Sequence, residues 1–200
     1  MKNFPVFTKR ILLFLLQPLF FFQAFAYPFF EADTSAPGQS ALQYIDPTIG
    51  NIGRLLEPTR PTAQLPNQLI RVYPIRKDYL DDRISGFPLT AVSHRLGEVF
   101  SVKPSIAPPD PEEWNRQMPY DHDLEITRPW YYSTYLIRDG ITVEFAPGEK
   151  TGYYRFTFPH QKNKSILLSA FNDDEASWHF LSSSAIEGTE TWHGDIKIYM

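Results

Sequence analysis

Trp130-Tyr131-Tyr132-Ser133-Thr134-Tyr135-Leu136-Ile137, followed by Arg138-Asp139-Gly140 and then Ile141-Thr142-Val143-Glu144-Phe145, is the stretch on which the fold turns. The first run is rich in aromatic and β-branched residues, which suit a pleated, half-buried surface. The middle is a turn signal ending in glycine. The last run alternates apolar and polar residues, the period of a strand with one buried face. Together they predict a β-hairpin closed by a short Asp-Gly-type turn.

Outward from this hairpin the same pattern recurs. Residues 152–158 (GYYRFTF) alternate and stop at Pro159. Residues 165–171 (SILLSAF) form a near-continuous apolar run, which predicts a strand buried on both faces. Ile186 opens another candidate strand, with a turn at Gly188, and residues 195–200 (DIKIYM) alternate to the last residue. Upstream, residues 68–73 (QLIRVY) predict a strand ended by Pro74. Residues 84–87 and 89–93 predict a short strand pair, and 99–102 a further strand. Residues 104–119, with five prolines and Trp114, predict a loop or insertion. No window holds a helical period. Short strands about every ten residues with turn signals between them predict an all-β fold, an antiparallel β-sandwich. The alternation at Ile198-Tyr199-Met200 runs to the chain end, so the sandwich is expected to be incomplete at its C-terminus, its cover supplied by a missing part.

The N-terminus reads differently. Lys2, Lys9 and Arg10 precede an apolar run over 11–22, and Ala24-Phe25-Ala26 has the small-x-small pattern of a cleavage site. Residues 1–26 are therefore expected to be a signal peptide. The run is shorter than the roughly 20 residues a bilayer core needs, so no membrane span is expected. Residues 27–43 read as a flexible tether and 44–200 as the sandwich domain, placing the protein in the periplasm or outside the cell. The chain has no cysteine, which excludes disulfides and thiolate metal sites. Removing Lys2, Lys9 and Arg10 from 19 basic residues leaves 16 against 23 acidic ones. That balance repels phosphate backbones, so nucleic acid is not an expected partner.

Several segments resemble glycoside hydrolase family 92, the calcium-dependent exo-α-mannosidases. Tyr44-Ile45-Asp46-Pro47-Thr48-Ile49-Gly50 is similar to that family's opening Y-V-D-P-F-I-G-T. Tyr79-Leu80-Asp81-Asp82-Arg83-Ile84-Ser85-Gly86-Phe87 is similar to its Y-S-D-x-x-I-x-G-F. Pro129-Trp130-Tyr131-Tyr132-Ser133-Thr134-Tyr135-Leu136 is similar to P-G-Y-Y-S-V-x-L, and residues 150–159 to R-x-G-x-x-R-Y-T-F-P. The resemblance runs from about Tyr44 to the end, with residues 104–119 unmatched. It departs at residues 73–78, where the family often has G-W-D-W-C-x-x-Y-H-Y, and at 88–97, in place of S-H-T-H-L-S-G.

The resemblance implies an N-terminal sandwich that packs on a larger catalytic (α/α) barrel. That barrel would carry the acid, the base and the calcium of an inverting hydrolysis of α-linked mannose-type glycans. No catalytic residue and no metal ligand is expected in these 200 residues. The sandwich is expected to support the barrel and lend loops to the sugar pocket. The alternative is a non-catalytic carbohydrate-binding or structural exported sandwich, with Trp114, Trp178 or Trp192 as an exposed platform.

The substrate-binding candidates are Asp81, Asp82, His94, Arg95 and Trp114. A carboxylate at 81 or 82 can accept two hydrogens from vicinal hydroxyls, or simply cap a turn. His94 and Arg95 follow a short apolar strand, and the arginine offers a planar donor fork. Trp114 can stack on a sugar face or pin its own loop. Asp121-His122-Asp123 alternates faces and does not converge on one ion. The aromatic residues Trp130, Tyr131, Tyr132, Tyr153, Tyr154, Phe156 and Phe158 are expected to be core and cross-strand packing.

Overall fold

A computed structural model describes residues 41–49, 62–68, 70–77, 80–92, 97–160, 163–170, 176–192 and 195–200, with only the backbone of Val92. The expected signal peptide, most of the tether, and His94 and Arg95 lie outside the described residues. Within them, twelve strands and one short α-helix follow in order. They are β1 (Arg83–Ile84), β2 (Phe87–Val92), β3 (Gly97–Ser105), α1 (Pro111–Asn115), β4 (Met118–Pro119), β5 (Ile126–Arg128), β6 (Tyr131–Leu136) and β7 (Ile141–Pro147). After these come β8 (Gly152–Thr157), β9 (Ser165–Ala170), β10 (Ser177–Ser182), β11 (Ala185–Trp192) and β12 (Ile196–Tyr199). All named pairings are antiparallel.

The hairpin that anchors the sequence argument is β6–β7. Leu136 pairs with Ile141, and the four residues between them close the turn, with the Gly140 N–H donating to the Leu136 carbonyl at 2.8 Å. Gly140 has φ +65°, a conformation an L side chain resists. β5 and β8 flank the hairpin, making a four-stranded sheet in sequence order. In β7, Ile141, Val143, Phe145 and Pro147 are buried and the residues between them are not.

A second sheet, β2-β3-β9, lies against this one. The Phe87 ring sits 6.2 Å from Tyr132 and 6.3 Å from Tyr154, and Val102 joins Tyr132, Val143 and Phe145 in one cluster. The Tyr154 hydroxyl donates to the Pro88 carbonyl at 2.7 Å, bridging the sheets. Two antiparallel sheets with a shared apolar interior make an all-β sandwich.

β3 is buried on both faces. Its other face carries Ser101, Lys103 and Ser105, and α1 covers Lys103 and Ser105. A third sheet, β10-β11-β12, sits at the far end of β3, where the Trp178 ring meets Phe100 edge-on at 5.4 Å.

Several expectations change. β9 is not buried on both faces: it pairs only with β3 among the described residues, and Ile166 is 44% exposed. An apolar run marks burial only where a second layer covers it. Residues 84–87 and 89–93 do not pair with each other; β1 pairs with β4 and β2 with β3, because the chain moves between sheets at Ser85–Gly86. Among the described residues of 68–73 there is one bridge, Ala63 with Val72, rather than a strand. Residues 104–119 hold the end of β3, a helix and β4. Gly188 is not a turn. It lies inside β11 opposite Trp178, where an added Cβ would meet the Trp178 ring at 3.0 Å and Phe100 at 3.2 Å. β10 carries no strand expectation from the sequence. Of the aromatics expected as core and cross-strand packing, Trp130 and Tyr153 are 40% and 66% exposed, and Tyr153 pairs across the strands with Ala146.

Candidate functional site

The β1–β4 pair brings the Asp81–Asp82 segment beside the residues that follow α1. Arg83 faces Pro119 and Ile84 faces Met118. Asp81 caps its own bend: one carboxylate oxygen accepts from the Arg83 N–H at 3.1 Å and the other from the Lys77 N–H at 3.3 Å. Asp82 is exposed and stands 3.8 Å from Arg83.

A buried polar cluster holds this bend. The Tyr120 hydroxyl donates to the Asp81 carbonyl at 2.9 Å, and the Tyr120 N–H to the Asp82 carbonyl at 3.0 Å. The Arg76 guanidinium reaches that hydroxyl and lies 3.1 Å from Glu125. Glu125 accepts from the Tyr132 hydroxyl at 3.0 Å. Burial and the Glu125 charge push the Tyr132 phenol well above its usual range. A buried ion pair of this kind fixes geometry more than it adds stability.

α1 begins at Asp110, whose carboxylate accepts from the Glu112 N–H at 2.8 Å, with Pro111 in the first turn. Its C-terminal carbonyls are capped from β3. The Lys103 ammonium donates to Glu113 O at 2.5 Å, to Trp114 O at 2.9 Å and to Arg116 O. Burial pulls Lys103 down to about 8, with Arg116 repulsion added and Glu113 and Asp139 opposing. Arg116 clamps Glu113 and lies 3.0 Å from Asp139. The Arg116 hydrogen bond holds Glu113 below the usual carboxylate range. Trp114 is half-buried: its ring end faces Gly86, and the Lys103 ammonium stands 5.9 Å from the ring centre.

Between these parts lies a cleft of about 470 Å³ lined by Arg83, Asn115, Arg116, Gln117, Pro119 and Arg138. None of its lining residues among those described is an acid. Asp81 and Asp82 lie just before β1 and Trp114 on α1, and none of the three lines the cleft. Sequence reasoning missed the arginines of the cleft, and also Lys103 and the Arg76–Glu125 pair. The signal for α1 was present as Asp110-Pro111-Glu112-Glu113, a cap followed by proline and acids. Nothing in the sequence ties Arg138 to Arg83.

A second groove, of about 510 Å³, has Trp130 and Pro129 on one side, with Leu42, Ile45, Gln64 and Asn67 among its other walls. Among the described residues no group of three His, Cys, Asp or Glu could hold a metal ion. None of their helices is long and apolar enough to cross a membrane. Asp121 accepts from the Asp123 N–H at 2.9 Å, and the His122 ring lies 4.8 Å from Tyr120.

Residues 44–200 match the model of the glycosyl hydrolase family 92 N-terminal domain. No curated protein matches the chain. Among solved structures, the chain is similar to the family GH92 alpha-mannosidase BT3965 from Bacteroides thetaiotaomicron in complex with mannoimidazole. Identity is 24%, 74% of this chain and 22% of that one are covered, and the TM-score is 0.61. It is also similar to the family GH92 inverting mannosidase BT2199 from the same organism, at 18% identity over 66% of this chain and 19% of that one, TM-score 0.57. The GH92 glycosyl hydrolase ccman5 is 24% identical over 74% and 23%, TM-score 0.58. These likenesses show the sandwich fold. The chain spans about a fifth of the length of the solved structures it matches.

Proposed function

Because the chain belongs to glycosyl hydrolase family 92 through its N-terminal domain, we propose that it is the sandwich half of an exported α-mannosidase, supporting a catalytic (α/α) barrel and lending loops to the sugar pocket. The observation that carries this reading is an apolar face that is covered in its middle and bare at its ends. On the β10-β11-β12 sheet, Trp178, Phe180, Ile186, Trp192, Ile196 and Ile198 share one side by their register, with Gly188 and the buried Glu190 among them. Its middle rests on β3, but Phe180 is 75% and Ile196 51% exposed. A packed neighbouring domain would remove such surface from water.

On this reading Asp81 and Asp82, on a bend braced by Tyr120 and Arg76, together with His94, Arg95 and Trp114, are the residues offered to an α-linked mannose-type glycan. The acid, the base and the calcium belong to the barrel, and this chain supplies no proton transfer. The purified chain is expected not to hydrolyse an aryl α-mannoside, whereas a protein carrying both the sandwich and the barrel does. Turnover by the chain alone would overturn the assignment.

A second reading, a non-catalytic glycan-binding sandwich, is favoured by Trp130. It stands at a glycine position of the family pattern, and its exposed ring shares a groove with the amides of Gln64 and Asn67. Retention of the chain in a mannan gel that is abolished by Trp130→Ala would support this reading over the first.

A further inference from the structure

The arginine-lined cleft has a chemistry that a neutral hexose does not need. Arg83 and Arg138 reach it from two different sheets, with side chains 62% and 49% exposed. Neither guanidinium makes a hydrogen bond among the described residues; their nearest acids stand at 3.8 Å and 3.6 Å. Arg116 forms the back wall. Asn115 and Gln117 add amides, the first holding only a long 3.5 Å contact to Pro111 O. The wall is thus dominated by N–H donors in planar forks, with Pro119 between them.

A sugar hydroxyl both donates and accepts, and a guanidinium can satisfy only the accepting half. An oxyanion accepts only, and arginine meets it with paired, charge-assisted bonds. The chain as a whole is net negative, so the cleft is not a by-product of a basic surface. Its backbone supports are defined: the Arg83 main chain pairs with Pro119, and Asp139, nearly buried, is tied to Arg116 and stands 3.6 Å from Arg138. Behind the cleft, Glu113 is committed to Arg116 and Asp139 is shared between Arg116 and Arg138, whereas Asp82 is exposed and displaceable.

The cleft also falls at positions that the family pattern leaves open. Arg83 occupies one of the two free positions between Asp81 and Ile84, Arg138 follows the matched hairpin strand, and Asn115, Arg116 and Gln117 sit in the segment that the resemblance does not match.

We propose that this cleft binds an oxyanion substituent, a sulfate ester or a uronate carboxylate, on a glycan presented to the domain. The oxyanion site stands on the cleft alone; that a glycan carries the oxyanion rests on the function proposed above. The site would confer a preference for acidic glycans through Arg83 and Arg138, with Arg116 as a fixed backstop.

The test is calorimetric titration of the full chain at low salt with inorganic sulfate, a sulfated hexose, a galacturonate oligomer and neutral mannobiose. Sulfate and at least one acidic sugar are expected to bind, and each of Arg83→Ala and Arg138→Ala is expected to weaken them about tenfold, the scale of one lost charge-assisted bond. Asp82→Asn, which removes the carboxylate competing for Arg83, is expected to tighten inorganic sulfate. Both arginines are exposed, so these variants leave the core intact, and a thermal melt verifies that. Absence of sulfate binding, or binding indifferent to the double arginine variant, overturns the site. Sulfate binding with no gain from an attached sugar overturns the glycan assignment. Mannobiose binding that ignores the arginines bears on the sugar pocket and leaves the cleft to the sulfate result, so the two readings fail separately.

Discussion

The β5–β8 sheet and the β10–β12 sheet are built from sequences with the same alternation, yet they end in opposite environments. In β7, Ile141, Val143 and Phe145 are buried because β2-β3-β9 lies across them. In β12, Ile196 and Ile198 alternate in the same way, and neither is buried. Alternation selects a strand and a face, whereas burial needs a second layer. The third sheet has that layer across its middle, where Phe100 of β3 meets Trp178, the Trp192 ring lies against Gly97 and Glu190 is 1% exposed, and lacks it at Phe180 and Ile196.

The contrast breaks most easily at its buried end. Phe145→Ala removes a fully packed ring between Tyr154 and the β2-β3-β9 sheet. The expected loss is about 3–5 kcal/mol, the usual cost of emptying a phenylalanine site. Urea unfolding of the full chain reads it. A loss under about 1 kcal/mol would mean that the two sheets are not closely packed and the comparison has no buried member.

The junction of the two regions is sharpened by Gly188→Ala. The added Cβ meets Trp178 at 3.0 Å and Phe100 at 3.2 Å, so one of the two rings must give by a few tenths of an ångström. Overpacking of this kind costs about 1–3 kcal/mol. The shift should also appear in Trp178 fluorescence. An unchanged melt and spectrum would mean that β11 does not rest on Phe100.

These two variants mark what the sequence could and could not say. The β6–β7 hairpin was legible because its turn residues and its strand period agree, and both are local. β8 and β12 followed from period alone. The reading of Gly188 as a turn failed because a glycine demanded by close approach looks the same in sequence as one demanded by a positive φ. The run at 165–170 misled because continuous apolarity reports no layer count. Of the named candidates, Asp81 and Asp82 precede β1 and Trp114 lies on α1, whereas Arg83, Arg116 and Arg138, none of them named, come together through β1–β4 pairing and the β6–β7 turn. That juxtaposition is tertiary and leaves no local mark. Lys103 is similar: inside β3 it reads as a surface lysine until α1 closes over it.

Lys103 supplies a smaller, pH-dependent test on the covered back of β3. Its folded value of about 8 lies below the usual 10.5. Below pH 8 the folded and unfolded chains are both protonated, and the full cost of burying the charge is present. Between about 8 and 10.5 the unfolded chain retains a proton that the folded chain has released, so this group makes stability rise with pH. The difference in unfolding free energy between the native chain and Lys103→Met should therefore move in favour of the native chain across that window. A flat difference would mean that the ammonium is not desolvated beneath α1.

The smallest effect belongs to the bare end of the comparison. Phe180 is three-quarters exposed at one end of the apolar face and Ile196 half exposed at the other. In the purified chain, Phe180→Ser and Ile196→Ser should each change stability by less than about 0.5 kcal/mol, as surface substitutions do. In a protein that also carries the barrel, the same substitutions should cost more if the domain covers this face, by up to about 1.5–3 kcal/mol for a buried large side chain. The informative quantity is the difference between the two settings, because an intrinsic strand effect of serine is common to both and cancels. Equal, small costs in both settings would leave this face open to water and remove the observation on which the supporting role of the sandwich rests. A large cost already present in the isolated chain would show that Phe180 is packed within the sandwich, and the two sheets would then differ less than their exposure implies.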